Sequence, residues 1–229
     1  METLQQLFSS IDWTILYDLV IRVLAVLICL SVHETCHGLA AYALGDPTAK
    51  AMQRLSLNPL HHIDWLGLMC MLVAGFGWAK PVPVNMRYFK KPRVGMAIVA
   101  IAGPISNILF GAVSLFIAYA LNIYVLGSFD SVSFLFVFIS YVVDFFLILA
   151  NVNIGFAVFN ILPVPPLDGS RVASLILPPR YYYKLMEYER YIQLAMFILI
   201  MLNVLTVPLA WGRNLIMNGL TNIILWILL

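Results

Sequence analysis

Long apolar runs alternate with short polar connections along this chain. The first run extends from about Ile11 to Leu44, the second from about Val94 to Leu121 and the third from about Val132 to Leu162. A fourth region, Tyr191 to Leu229, is apolar but interrupted near Pro208–Arg213, which predicts one span plus a second, shorter one. A helix crosses the hydrocarbon layer in about 20 residues, so each of the first three runs can cross with some tilt. The stretch from Trp65 to Trp78 is too short for that and is rich in glycine. It reads as a re-entrant or hairpin element in protein-lined space, because lipid does not tolerate unpaired backbone. The pattern predicts an all-α polytopic membrane protein of about four to six transmembrane helices with a re-entrant hairpin. It would form a single membrane-embedded domain over residues 1–229, with a core of about 11–172 and C-terminal helices over 185–229.

Composition agrees with the pattern. Of 229 residues, 62% are apolar and only 10% are charged, 13 basic and 11 acidic, against about 25% charged in a soluble domain. Mean hydropathy is +0.94. These values exclude a soluble globular enzyme, a disordered chain and a nucleic-acid binder, and leave lipid as the solvent. The net charge of +2 is too small to imply a polyanionic partner. Cys29, Cys36 and Cys70 lie in or beside apolar stretches without C-x-x-C spacing, so they read as small buried hydrophobes. The start, METLQQLFSSIDW, lacks a basic region before its apolar run and is not read as a cleaved signal peptide.

The basic residues orient the spans. Eleven of the thirteen lie in two connections: Lys50, Arg54, Lys80, Arg87, Lys90, Lys91 and Arg93 in the first, Arg171, Arg180, Lys184 and Arg190 in the second. The connection from Leu121 to Val132 has none. By the positive-inside rule, the two basic connections face the cytoplasm and the N-terminus faces out. The tyrosines at 181–183, 188 and 191, with Lys184 and Arg190, fit an interfacial aromatic belt.

Inside the first run stands His33-Glu34-Thr35-Cys36-His37. Histidines at i and i+4 share one helical face. Two such imidazoles can bind one zinc ion, and the glutamate between them can act as general base toward water activated there. Ionisable side chains inside an apolar span are costly and need partners or a metal. His33 lies eleven residues before Leu44, about 16 Å from that helix end at 1.5 Å per residue. Zinc takes a third protein ligand and, in catalytic sites, keeps one open position. Asp168 is the best candidate, because Pro163, Pro165 and Pro166 break the helix before it and Gly169 turns the chain after it. Asp144, deep in the third run and within reach of Asn151, is a weaker competitor. Gly103 reads as a helix-packing residue. His61, His62 and Asp64 read as a polar loop network before a second metal site.

These residues resemble the site-2 protease family of intramembrane zinc metalloproteases. His33–His37 and Asn160–Gly169 look like its two signature motifs. Asn58–Asp64 resembles its N-P-x-x-H-x-D element, Gly77–Asn85 its G-x-A-K-P-V-P-V-N stretch, and Gly103–Asn107 a G-P-x-x-N element. The likeness runs in order from about Ser31 to Val172 and is closest to the compact bacterial branch without PDZ or CBS domains, although Trp65 stands where that branch often has proline. The resemblance implies intramembrane peptide-bond hydrolysis, with one zinc ion on His33, His37 and Asp168, and Glu34 as base. It implies membrane-protein substrates and the bacterial inner membrane as the location, with the site nearer the cytoplasmic face. The oligomeric state is left open.

Hydrolysis of a peptide bond needs an activated nucleophile, a polarised carbonyl and a protonated leaving amine. Asn160 is a candidate oxyanion donor, with a local helix cap or interhelical bond as the plainer reading. Leu72–Asn85 could pair with an unwound substrate as an edge strand, since Pro81 and Pro83 suit an edge. Three other readings compete. A metal transporter would show ligands along a path and an inverted repeat. An inactive homologue would have lost part of the constellation. A zinc protease with a downstream glutamate as third ligand could use Glu187 or Glu189 only with a different helix order.

Overall fold

The computed structural model describes residues 13–67, 69, 80–128 and 133–229. Most of the element expected over Trp65–Trp78 lies outside the described residues. The body is built from α1 (Trp13–Ala43), α3 (Pro92–Tyr124) and α4 (Phe134–Ile161), with a short α2 (Thr48–Ala51) in the first connection. After α4 come α5 (Asp168–Ala173), α6 (Pro179–Glu187), α7 (Glu189–Met201) and α8 (Thr206–Leu228). Among the described residues, three helices are long and apolar enough to cross a membrane, or up to four if the bent pair α7–α8 forms one broken span. Among the described residues every element is helical, as expected. Pro92 opens α3, where its missing N–H costs nothing. Ser133 caps α4 by accepting from the Phe136 N–H at 3.1 Å.

Two boundaries differ from the sequence reading. The C-terminal break falls at residues 202–205, and not at Pro208–Arg213. There α7 and α8 meet at 83°. Asn203 takes the left-handed conformation at φ +56°. Its N–H donates to Ile200 O at 2.9 Å, and the Val204 N–H donates to Leu199 O at 3.0 Å. This paired closure ends a helix. Pro208 is the third residue of α8, where a helix needs no backbone donor. The C-terminal helices also begin at Pro179, earlier than the expected 185.

The interior is rich in small and polar residues, and many large apolar ones face outward. Ala25, Ala41, Ala97, Ala100, Ala118, Ala150 and Ala157 are buried, with Ser31, Asn107, Ser114 and Asn153. Leu109, Val113, Phe134 and Trp226 are exposed. This arrangement suits lipid, where helices gain by close packing and not by hiding apolar surface from water. α3 packs against both α1 and α4, α1 also touches α4, and α8 lies on α3 and α4. Leu115, Ala150, Ile154 and Ile224 form the cluster that seats α8.

Alternating chain direction brings the end of α1, the start of α3 and the end of α4 to one end of the body, which carries the basic connections. Gly169 allows α5 to tuck under α4. A Cβ there would lie 2.1 Å from Ile161 O and 2.4 Å from Leu162 O, so any side chain would push α5 away.

Candidate metal centre

His33 and His37 project from α1 with their rings edge to face, centroids 4.4 Å apart. Phe156 of α4 closes on His33 from the side, at 4.9 Å between centroids. Both histidines are buried. Asp168, the first residue of α5, places Oδ2 at 3.0 Å from His33 Nε2 and 3.2 Å from His37 Nε2. The two Nε2 atoms are 2.9 Å apart. Among the described residues this is the one group of three or more metal-donor side chains.

The outer ring nitrogens settle what the inner ones carry. His37 Nδ1 donates to the Val99 carbonyl at 2.7 Å, an atom that can only accept. Val99 precedes Ala100, the residue whose carbonyl Pro104 leaves without its helical donor. His33 Nδ1 donates to Asn107 Oδ1 at 2.8 Å. With both Nδ1 atoms protonated, each neutral ring turns an Nε2 lone pair toward the other and toward Asp168 Oδ2. Oδ2 has no hydrogen-bond donor although it is buried. Three acceptors this close require positive charge between them. A proton can bridge two of them. A tetrahedral ion bridges all three, and ligand atoms bound at about 2.0–2.1 Å sit roughly 3.3 Å apart, a few tenths of an ångström more than here. The residues therefore fit zinc in both chemistry and spacing.

Gly103 of α3 lies directly against the pair. A Cβ there would stand 2.5 Å from His33 Cε1, 2.5 Å from His37 Cε1 and 2.6 Å from His37 Nε2. The expected packing role is thus a close approach to the two imidazoles themselves.

Glu34, between the histidines, is half-buried and accepts the Val82 N–H on Oε2 at 2.8 Å. Its other oxygen has no hydrogen-bond partner among the described residues. Val82 is fixed by the segment on either side of it. Before it, the Lys80 N–H donates to His62 O at 2.9 Å, and Arg54 donates to Lys80 O at 2.7 Å. After it, the Asn85 N–H donates to Asp46 Oδ2 at 2.6 Å. Asp46, just beyond α1, is fully buried and also accepts from the Thr48 hydroxyl and N–H. Burial would raise its carboxyl, but these hydrogen bonds outweigh burial and hold it below the usual range. Thr35 Oγ1 and His62 Nε2 both donate to Ser56 O, at 2.8 and 2.7 Å. His62 is therefore part of a loop network, as expected, and Asp64 caps the Leu66 and Gly67 N–H groups.

Asn160 is buried near the end of α4, and its Nδ2 donates to Phe156 O at 3.0 Å within its own helix. Asp144 is exposed on α4 and stands outside the metal-donor group. Glu187 and Glu189, at the junction of α6 and α7, are also outside it. Sequence reasoning missed three groups: the Val99 carbonyl, the Val82 N–H and Asn153. Asn153 alone left a trace, as a polar residue in an apolar span. A largely apolar cavity of about 220 Å³ reaches Asp168 between α3, the end of α4 and α5, lined by Ala100, Ile101, Pro104, Pro163 and Val172 among others.

Comparisons with known proteins agree with this geometry. Residues 21–203 match peptidase family M50. A relative from Bacillus subtilis (strain 168), named "Putative zinc metalloprotease YwhC", is 40% identical over 169 residues, covering 74% of each chain. No solved structure matches. The zinc-protease motifs, the donor triad and these matches agree: the chain is an integral membrane protein of peptidase family M50, the site-2 protease family of zinc metalloproteases, and a compact member of it.

Proposed function

We propose that His33, His37 and Asp168 hold one zinc ion, and that Glu34 is the general base for hydrolysing peptide bonds in or near the transmembrane segments of membrane-protein substrates. The observation that carries this reading is the meeting of two Nε2 lone pairs and a carboxylate oxygen within 2.9–3.2 Å, beside a glutamate. Zinc, when bound, supplies Lewis acidity that polarises the scissile carbonyl and acidifies water.

The chain's own groups do the rest. The Val82 N–H steadies one Glu34 oxygen, and the other is free to take a proton from water and deliver it to the leaving nitrogen. Asn160 has one N–H beyond the one spent on Phe156 O, which makes it the candidate donor to the oxyanion. The apolar cavity beside Asp168 suits an apolar substrate side chain next to the scissile bond. The nonhelical segment from Lys80 to Asn85 runs past Glu34, where an unwound substrate backbone could pair with it. The basic end would face the cytoplasm and the N-terminus the outside of a bacterial inner membrane, with residues 1–229 acting as one domain.

Glu34→Gln tests the reading when zinc content and cleavage of a membrane-protein substrate are measured together. Zinc should stay and cleavage should fall by about 10²–10⁴-fold. Full cleavage by this variant would refute the mechanism. Asp168→Ala should lower zinc occupancy, and unchanged occupancy would move the third ligand elsewhere. A metal transporter is disfavoured because the donors form one site and not a path.

A further inference from the structure

The two imidazoles are oriented by different kinds of acceptor. His37 is bound to a backbone carbonyl, which cannot be reversed. His33 is bound to a side-chain amide, which could present either its oxygen or its NH₂. We propose that Asn107 and Asn153 are positioning residues that fix the tautomer of His33, transmitting the polarity of the Leu149 carbonyl in α4 to the metal position. This rests on the reading of His33 as a zinc ligand.

The polarity follows link by link. Leu149 O can only accept, so Asn153 must turn Nδ2 toward it, at 2.8 Å. Asn153 Oδ1 then faces Asn107, which must answer with Nδ2, at 2.9 Å. Asn107 Nδ2 is also 2.8 Å from Cys29 Sγ and 3.4 Å from Cys29 O, both acceptors on α1. Asn107 Oδ1 is thereby turned to His33, whose Nδ1 must carry the proton. The lone pair is left on Nε2, facing Asp168 and His37.

Flipping Asn107 would set its oxygen against Asn153 Oδ1 and Cys29 O, and its NH₂ against His33 Nδ1. His33 would then carry its proton on Nε2, where it would repel a cation. Both asparagines are fully buried, so water cannot repair a flipped arrangement. The relay joins α1, α3 and α4, and neither asparagine belongs to the donor triad.

Zinc affinity of the full chain in detergent, measured by competition with a chromophoric chelator, tests the proposal. Asn107→Leu keeps the volume and removes the acceptor, and should weaken zinc by about 10–100-fold. Asn107→Asp keeps an acceptor for His33 Nδ1–H and should bind zinc more tightly than Asn107→Leu. A packing role predicts the opposite order, because a buried carboxylate is the more disruptive replacement. Asn153→Leu touches no ligand directly and should still weaken zinc several-fold; it carries the test if Asn107→Leu fails to fold. Cobalt-substituted protein should show a shifted visible spectrum in both leucine variants. A parent that binds zinc while both leucine variants match its affinity overturns the relay alone, as does Asn107→Asp binding more weakly than Asn107→Leu. A parent that binds no zinc overturns the metal reading and the relay with it.

Discussion

The seam where α1, α3 and α4 meet differs sharply from the C-terminal arm of α6, α7 and α8. In the seam, polar side chains are buried and joined across helices: His33 to Asn107, Asn107 to Asn153, His37 to Val99. In the arm, side chains bond to near neighbours, as Arg213 does to Asn214 and Thr206 to Asn203, and the bond that reaches the body runs from the exposed Tyr124 hydroxyl to Leu228 O at the end of α8. The seam also packs through small residues, whereas α8 meets the body through Leu115, Ile154 and Ile224. Close backbone approach and buried interhelical hydrogen bonds give precision in lipid, while mainly apolar contact gives attachment. The chemistry sits where the precision is.

Substitutions can break or sharpen this contrast. Gly103→Val should have the largest effect, because its side chain must enter the space of both imidazoles. Zinc content and cleavage should both be lost, as read by metal analysis and a substrate assay. Gly169→Ala should come next, since its Cβ meets backbone at 2.1 Å and displaces the helix that starts with Asp168. Zinc affinity should fall by about 10-fold or more, with total helicity by circular dichroism nearly unchanged.

Asp46→Asn should act more mildly. It loosens the segment that presents Val82 to Glu34, so cleavage should fall several-fold with zinc unchanged. The pH dependence has a definite sign. The folded carboxyl of Asp46 is lowered, so its contribution is complete above its ordinary value of about 4 and is lost as pH falls below that. Limited proteolysis in the segment from Lys80 to Lys91 should therefore rise on acidification in the parent and be high at all pH values in Asp46→Asn. Ile224→Ala should have the smallest functional effect. It removes packing under α8, costing about 2 kcal/mol of stability, and leaves zinc affinity as it was. A loss of zinc there would show that the arm shapes the seam.

Much of the seam was legible from residues because charge is scarce in an apolar chain. His33, Glu34 and His37 stood out inside a run, and Asp168 stood out because three prolines broke the helix before it. The three long helices followed from run length alone. What escaped was set by tertiary geometry. The Val99 carbonyl and the Val82 N–H have no side-chain signature, and Asn153 looked no different from Asn151 two residues away. The sequence suggests a C-terminal break near Pro208–Arg213, but a proline in a first helical turn breaks nothing, and Asn203 makes the turn in a conformation that sequence only weakly favours.

The contact at Gly103 also has a mechanical consequence. α3 has 33 residues, a length of about 50 Å at 1.5 Å per residue, well beyond a hydrocarbon layer of about 30 Å. It must lean or protrude, and bilayers of different thickness will change its lean. Gly103 brings α3 close against the imidazole pair of α1, and a lean centred on that contact would make it the pivot. The far ends of the helix swing, and the fulcrum moves least. A thinner or thicker membrane would then reshape the connections at either end of α3 while the spacing of His33, His37 and Asp168 stays nearly constant.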